Sequence, residues 1–133
     1  MPTAKQLTIL LENSPGALAN VCSELAAKDI NILAISVLDT IDSGLIRMVV
    51  SDPDRAKVIF EEEGLNVIET DVLMVEMTDS PGALANIAKQ FSKASINIEY
   101  AYASAPPDDG KSLGIFWVSN LKKALEILES QTY

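Results

Sequence analysis

The sequence predicts an α+β protein made of two copies of one β-α-β-β-α-β unit. Two observations carry that prediction. The segment Ser-Pro-Gly-Ala-Leu-Ala-Asn stands at Ser14–Asn20 and again, unchanged, at Ser80–Asn86, 66 residues later in a chain of 133. Each copy is followed by the same succession of apolar alternation, helical periodicity and turn residues. A seven-residue identity at half-length spacing marks an internal repeat, and repeats decide the architecture before any single element does. Domains are expected at 1–70 and 71–133. Units of that size are marginal alone, burying only about 60% of their unfolded surface, so they are expected to pack together or to pair with another chain.

The elements of the first copy follow in order. Leu7–Glu12 is short and apolar and runs into the turn cluster Asn13-Ser14-Pro15-Gly16, so it reads as a strand. A helix follows, with Ser14 expected as N-cap and Pro15 at N1. Leu18, Val21, Cys22 and Leu25 recur at helical spacing and define one apolar face. The helix is expected to stop near Lys28-Asp29. Asn31–Leu38 and Leu45–Val50 are strands joined by a hairpin loop, Asp39–Gly44. Asp52-Pro53 is an N-cap and N1 pair for a second helix, which runs to about Glu63 before Gly64 at C′. Leu65–Thr70 closes the unit as its fourth strand.

The second copy repeats this order. Val72–Thr78 is a strand and Asp79-Ser80-Pro81-Gly82 the turn. Leu84, Ile87, Ala88 and Phe91 share a helix face. Asn97–Ser104 and Ser112–Val118 are strands separated by a Pro- and Asp-rich loop, and Asn120 caps a last helix through about Glu129. No room is left for a fourth strand. The expected fold is therefore two ferredoxin-like units, antiparallel sheets with helices on one face, the second lacking its last strand. An unpaired sheet edge invites another chain, so a homodimer covering it is expected.

Composition narrows the function. The net charge is −9, with no basic stripe, which argues against nucleic acid. An RNA-binding sheet of the same strand order would also need an aromatic run on its third strand, and none is present. There is no histidine, the commonest general base and metal ligand. No Walker-type glycine loop appears, and no pair of carboxylates is marked out for catalysis. No enzyme activity, cofactor or metal is expected. No apolar run approaches the roughly 20 residues of a membrane span, and the N-terminus has no basic-then-apolar signal pattern. A cytoplasmic location is expected. The single Cys22 falls on the apolar helix face and reads as packing. Tyr100 and Tyr102 share a strand face by period two, and Trp117 reads as core or interface. Asp108-Asp109 and Glu61-Glu62-Glu63 read as solvated surface.

The turns carry a resemblance. Leu11-Glu12-Asn13-Ser14-Pro15-Gly16-Ala17-Leu18 with Ile30-Asn31-Ile32, and Met77-Thr78-Asp79-Ser80-Pro81-Gly82-Ala83-Leu84 with Ile96-Asn97-Ile98, resemble the ACT domain in two tandem copies. ACT domains are regulatory modules that bind small ligands, usually amino acids, beside metabolic enzymes. Ligands sit where two units meet, at the first strand–helix turn and the start of the second strand. The resemblance implies ligand contacts from Asn13, Ser14, Pro15, Gly16, Ala17 and Leu18 with Asn31 and Ile32. In the second copy it implies Asp79, Ser80, Pro81, Gly82, Ala83 and Leu84 with Asn97 and Ile98. A helix start suits a ligand carboxylate, because it presents N–H groups and about +0.5 charge. Asp79 is charged where Asn13 is not, so unequal sites are expected. Ser-Pro-Gly also serves as a purely structural helix start, with Leu18 and Leu84 as core, and Asn31 and Asn97 as turn residues. Leu11 occupies a place where some amino-acid-binding ACT domains have histidine. The alternative function is a regulatory subunit of a biosynthetic enzyme with no ligand of its own.

Overall fold

A computed structural model describes residues 3–12, 14–39, 44–104 and 110–130. The chain divides into two compact units, Lys5–Thr70, and Asp71–Tyr133 together with Met1–Ala4. The first contains β1 (Thr3–Leu11, from Lys5 on), α1 (Ala17–Ala27), β2 (Ile32–Asp39), β3 (Gly44–Val50), α2 (Pro53–Glu62) and the start of β4 (Val67–Thr78). Its strand order is β2-β3-β1-β4. The pairs β1–β3 and β2–β3 are antiparallel, with Ile9 opposite Ile46 and Ile35 opposite Met48.

Alternation along the strands places the core. Leu7 and Ile9 of β1 and Ile46, Met48 and Val50 of β3 point to one side, where they meet Val21 and Leu25 of α1 and Ala56, Ile59 and Phe60 of α2. Burying apolar side chains of this kind contributes about 1.5–3 kcal/mol each. Asp52 caps α2 as expected, its carboxylate accepting from the Arg55 N–H at 3.2 Å. Gly64, at φ 82°, ends the helix, and the Leu65 N–H donates back to the Phe60 carbonyl at 3.0 Å.

The second unit contains the remainder of β4, α3 (Ala83–Lys93), β5 (Ile98–Ser104), β6 (Lys111–Val118) and α4 (Leu121–Glu129). Leu73, Val75 and Met77 of β4 and Phe116 and Val118 of β6 face Ile87, Phe91, Ala124 and Leu128 of the helices. Phe91 and Phe116 meet edge to face, centroids 6.2 Å apart. Asn120 caps α4, accepting from the Lys123 N–H at 3.1 Å.

Several expectations are corrected. The first strand begins at Thr3 rather than Leu7. The strands expected at Leu65–Thr70 and Val72–Thr78 are one strand, β4, which runs through the exposed Asp71. The second unit has no strand of its own after α4 among the described residues. In the strand order β4 lies between β1 and β6, and Met1–Ala4 group with this unit. Leu18 and Leu84 are 40% and 54% exposed and belong to neither core. Each lies off the helix line that faces the core, which runs Val21-Leu25 in α1 and Ala83-Ile87-Phe91 in α3. Cys22 is half-buried, and Trp117 is exposed, stacked at a tilt on Tyr100 with centroids 5.3 Å apart. Asp108-Asp109 lies outside the described residues.

The two cores fill the same space differently. Gly114 occupies the second-copy place of Ile46, and Phe116 that of Met48. A Cβ on Gly114 would stand 2.7 Å from Phe116 Cε2 and 2.8 Å from Met77 Cε. The missing side chain thus makes room for the larger ring. Gly114→Ala should destabilise the protein by about 1–3 kcal/mol through overpacking, measured as a lower urea midpoint in circular dichroism.

Candidate functional site

The repeated turns share one backbone solution. The chain leaves the strand, and the Ala17 N–H donates to the Ser14 carbonyl at 3.2 Å and the Ala83 N–H to the Ser80 carbonyl at 3.3 Å. Gly16 and Gly82 then take φ of 86° and 88° at the N-cap positions. That left-handed geometry costs a side-chain-bearing residue roughly 1–2 kcal/mol. The expectation of Ser14 as N-cap with Pro15 at N1 is therefore wrong by two residues. The serines form the turn before the helix instead, and no side-chain hydrogen bond caps α1 or α3. By contrast α2 and α4 are both capped by a side chain. Glycine offers no side-chain acceptor to the first-turn N–H groups, of which only those of Ala17 and Ala83 are taken by the turn carbonyls of Ser14 and Ser80.

Positive φ recurs at the far end of the same helices. Asp29 and Ser95 both have φ 59°, and the next residues, Ile30 and Ile96, donate back to Leu25 and Phe91 at 2.9 Å. Arg55 Nη1 donates to the Lys28 carbonyl at 3.2 Å, and Lys123 Nζ to the Ala94 carbonyl at 2.8 Å. The second helix of each unit thereby pins the end of the first.

Asn31 and Asn97 open the way to β2 and β5 with their main chains already engaged. The Asn31 N–H donates to Ser51 Oγ, and the Ser51 N–H donates to the Asn31 carbonyl, both at 2.9 Å. Asn97 and Ser119 repeat both bonds at 2.9 Å. These serines escaped the sequence reading. Their signal is the repeated Val-Ser before the caps Asp52 and Asn120.

Of the residues singled out at the turns, Asn13 lies outside the described residues. Ser14, Pro15 and Ala17 line a cleft of about 530 Å³ in the first unit, with Leu11, Asn20, Val21 and Phe60, and Glu12, Glu24 and Glu63 at its sides. Gly16 and Leu18 are exposed, and neither they nor Asn31 and Ile32 line that cleft. In the second unit Asn97 and Ile98 line a cavity of about 410 Å³ with Ala88, Ser92, Ser95 and Ile96. Asp79, Ser80, Pro81, Gly82, Ala83 and Leu84 do not line it. Asp79 is exposed, its N–H donating to the Gly110 carbonyl at 2.7 Å. Each unit thus has a cavity beside one half of the expected site, and the halves differ between units.

Both units share the β-α-β-β layout, and in each the first helix starts on a glycine with no side-chain cap. The family model described as an ACT domain pair matches residues 2–132. The chain belongs to this family. Among solved structures, protein BT0572 from Bacteroides thetaiotaomicron is 35% identical over 97% of this chain and 88% of that one, with a TM-score of 0.89. The regulatory subunit of aspartate kinase from Thermus thermophilus is 15% identical, covering 100% and 95%, at a TM-score of 0.70. That from Thermus flavus is 18% identical, covering 98% and 92%, at 0.65. A search of the curated proteins found no match.

Ser80→Ala should change stability by less than about 0.5 kcal/mol, whereas Asn120→Ala should cost about 1 kcal/mol, because only the second residue is a cap. Gly82→Ala should also cost about 1 kcal/mol through φ alone, since open space surrounds its missing Cβ. Urea unfolding of the three variants checks the order.

Proposed function

We propose that this chain is a non-catalytic regulatory module whose two glycine helix starts hold a small ligand, an amino acid, and pass its presence to a metabolic enzyme. The observation that carries the reading is the contrast within each unit. The first helix starts on an uncapped left-handed glycine beside an exposed leucine, while the second starts on a side-chain cap. A helix start that served stability alone would gain about 1 kcal/mol from a capping side chain. Leaving it bare in both copies suits a site kept for a ligand carboxylate. Asn13–Leu18 with Asn31 and Ile32, and Asp79–Leu84 with Asn97 and Ile98, form the proposed contacts. Asp79 offers a charged acceptor for an ammonium group, so the two sites differ in affinity.

The fold shared with aspartate kinase regulatory subunits supports a detached subunit acting on a partner enzyme. Coupling of that kind is typically worth about 1–3 kcal/mol. A homodimer is part of the proposal. β2 stands last in the strand order of its unit and carries no charge from Ile32 to Leu38. Ile35, Val37 and Leu38 on it are exposed. No helix among the described residues is long and apolar enough to cross a membrane, and a cytoplasmic location is proposed.

Isothermal titration against the twenty amino acids should give binding by one or a few at millimolar levels or tighter. No binding by any would leave a regulatory subunit without its own ligand as the better account. Light scattering at micromolar concentration should give the mass of a dimer, and a monomer would remove that part of the proposal.

A further inference from the structure

A groove of about 450 Å³ runs between α3 and α4 and shares no residue with the proposed helix-start contacts. Asn86, Gln90, Lys93 and Ala94 line it from α3 and its C-terminal cap, and Ile127 lines it from α4. Asn86, Gln90 and Lys93 follow one another at helical spacing, so their side chains share one face of α3. Gln90 is half-buried, and its side-chain oxygen is buried with no hydrogen-bond partner. Neither the Asn86 amide nor the Lys93 ammonium supplies the missing donor, although both line the same groove. An acceptor left in that state costs the fold free energy and calls for an explanation.

The charge around this oxygen is one-sided. Lys93 lines the groove, and no acidic residue does. Lys123 Nζ donates to the Ala94 carbonyl at 2.8 Å, which engages a carbonyl at the negative pole of α3 and brings a second cation there. The first copy shows that the fold does not require these residues. Asn86 corresponds to Asn20, but Gln90 and Lys93 correspond to Glu24 and Ala27. From the first copy to the second, one negative charge is lost and one positive charge is gained. Glu24 is exposed to water, whereas the Gln90 oxygen is not.

We propose that this groove binds a small carboxylate with a neutral hydroxyl beside it, a 2-hydroxy acid. The carboxylate pairs with Lys93. The hydroxyl donates to the Gln90 oxygen, which a rotation of the half-buried side chain brings to it, and accepts from the Asn86 amide. The aliphatic tail lies on Ile127. An ammonium in place of the hydroxyl would meet Lys93 and Lys123 as like charges, so the groove selects against amino acids. Its volume is of small-molecule size. The inference stands apart from the amino-acid reading of the glycine turns.

The test is titration of the full chain at low salt, followed by NMR at the side-chain amides of Asn86 and Gln90, with three compounds that differ at one carbon. They are 2-hydroxy-4-methylpentanoate, 4-methylpentanoate and leucine. The hydroxy acid should bind saturably at millimolar concentration or tighter. Loss of the hydroxyl should weaken binding roughly tenfold, and leucine should leave both amides unmoved. Lys93→Gln should weaken the hydroxy acid by a further factor of roughly ten. Gln90→Met, followed at Asn86, should erase the preference for the hydroxy acid and raise the urea midpoint, because the orphan acceptor is gone. A raised midpoint with no hydroxy-acid binding by the unaltered chain would mark the oxygen as a packing defect and overturn the inference. Equal binding of the two acids, an undiminished preference in Gln90→Met, or shifts confined to other residues would also overturn it. Amino-acid binding at the glycine turns without hydroxy-acid binding in the groove would overturn it and leave the regulatory proposal intact. Hydroxy-acid binding in the groove with no amino acid bound at the turns would support it and remove the amino-acid proposal.

Discussion

The left-handed backbone at Gly16 and Gly82 is the constraint from which the rest of each unit follows. A φ near 86–88° turns the chain from strand to helix within a few residues. It excludes β-carbons at low cost only for glycine. It also moves the helix start past Ser14-Pro15 and Ser80-Pro81, so that no serine hydroxyl reaches the first-turn N–H groups. The leucine that follows is left on the outside. One dihedral in each copy therefore sets the helix position, the bare helix pole and the exposed apolar neighbour.

The remaining hydrogen bonds hold that turn in place from the other side. Asp29 and Ser95, also left-handed, end the helices, and Arg55 and Lys123 fasten those ends. Ser51 and Ser119 lock the start of the next strand to the end of its neighbour. The strand–helix–strand segment is thus fixed at both ends by bonds that are the same in the two copies. What differs between copies is charge and side-chain volume: Glu24 against Gln90, Ile46 and Met48 against Gly114 and Phe116.

Element type and order were legible because strands of period two and helices of period near 3.6 alternate with strong punctuation. Asp52, Gly64 and Asn120 act as read, since each needs only its own neighbours to do so. The misreadings arise where two local rules compete. Ser-Pro fits a cap followed by N1, but glycine two residues later accepts a φ that serine does not, and the backbone takes the later start. Asp71 looks like a strand break, yet its side chain is exposed and the backbone stays extended through it. That β1 lies beside β4 could not be read locally, because strand order is a long-range property. Leu18 and Leu84 fit the helical period loosely but lie off the i, i+4 line, Ala83-Ile87-Phe91 in α3, that faces the core. Of the candidate site, the turns were legible from the repeat, whereas Ser51, Ser119 and the acid-lined cleft join residues far apart in sequence.

The central claim is that the two bare helix starts hold a ligand. Amide chemical-shift mapping of the full chain during titration with the amino acids tests it most directly. The account predicts saturable shifts centred on the amides of Gly16–Ala19 and Gly82–Ala85, with different midpoints at the two turns. Saturable shifts confined to other surfaces, with both turns unmoved, would contradict it.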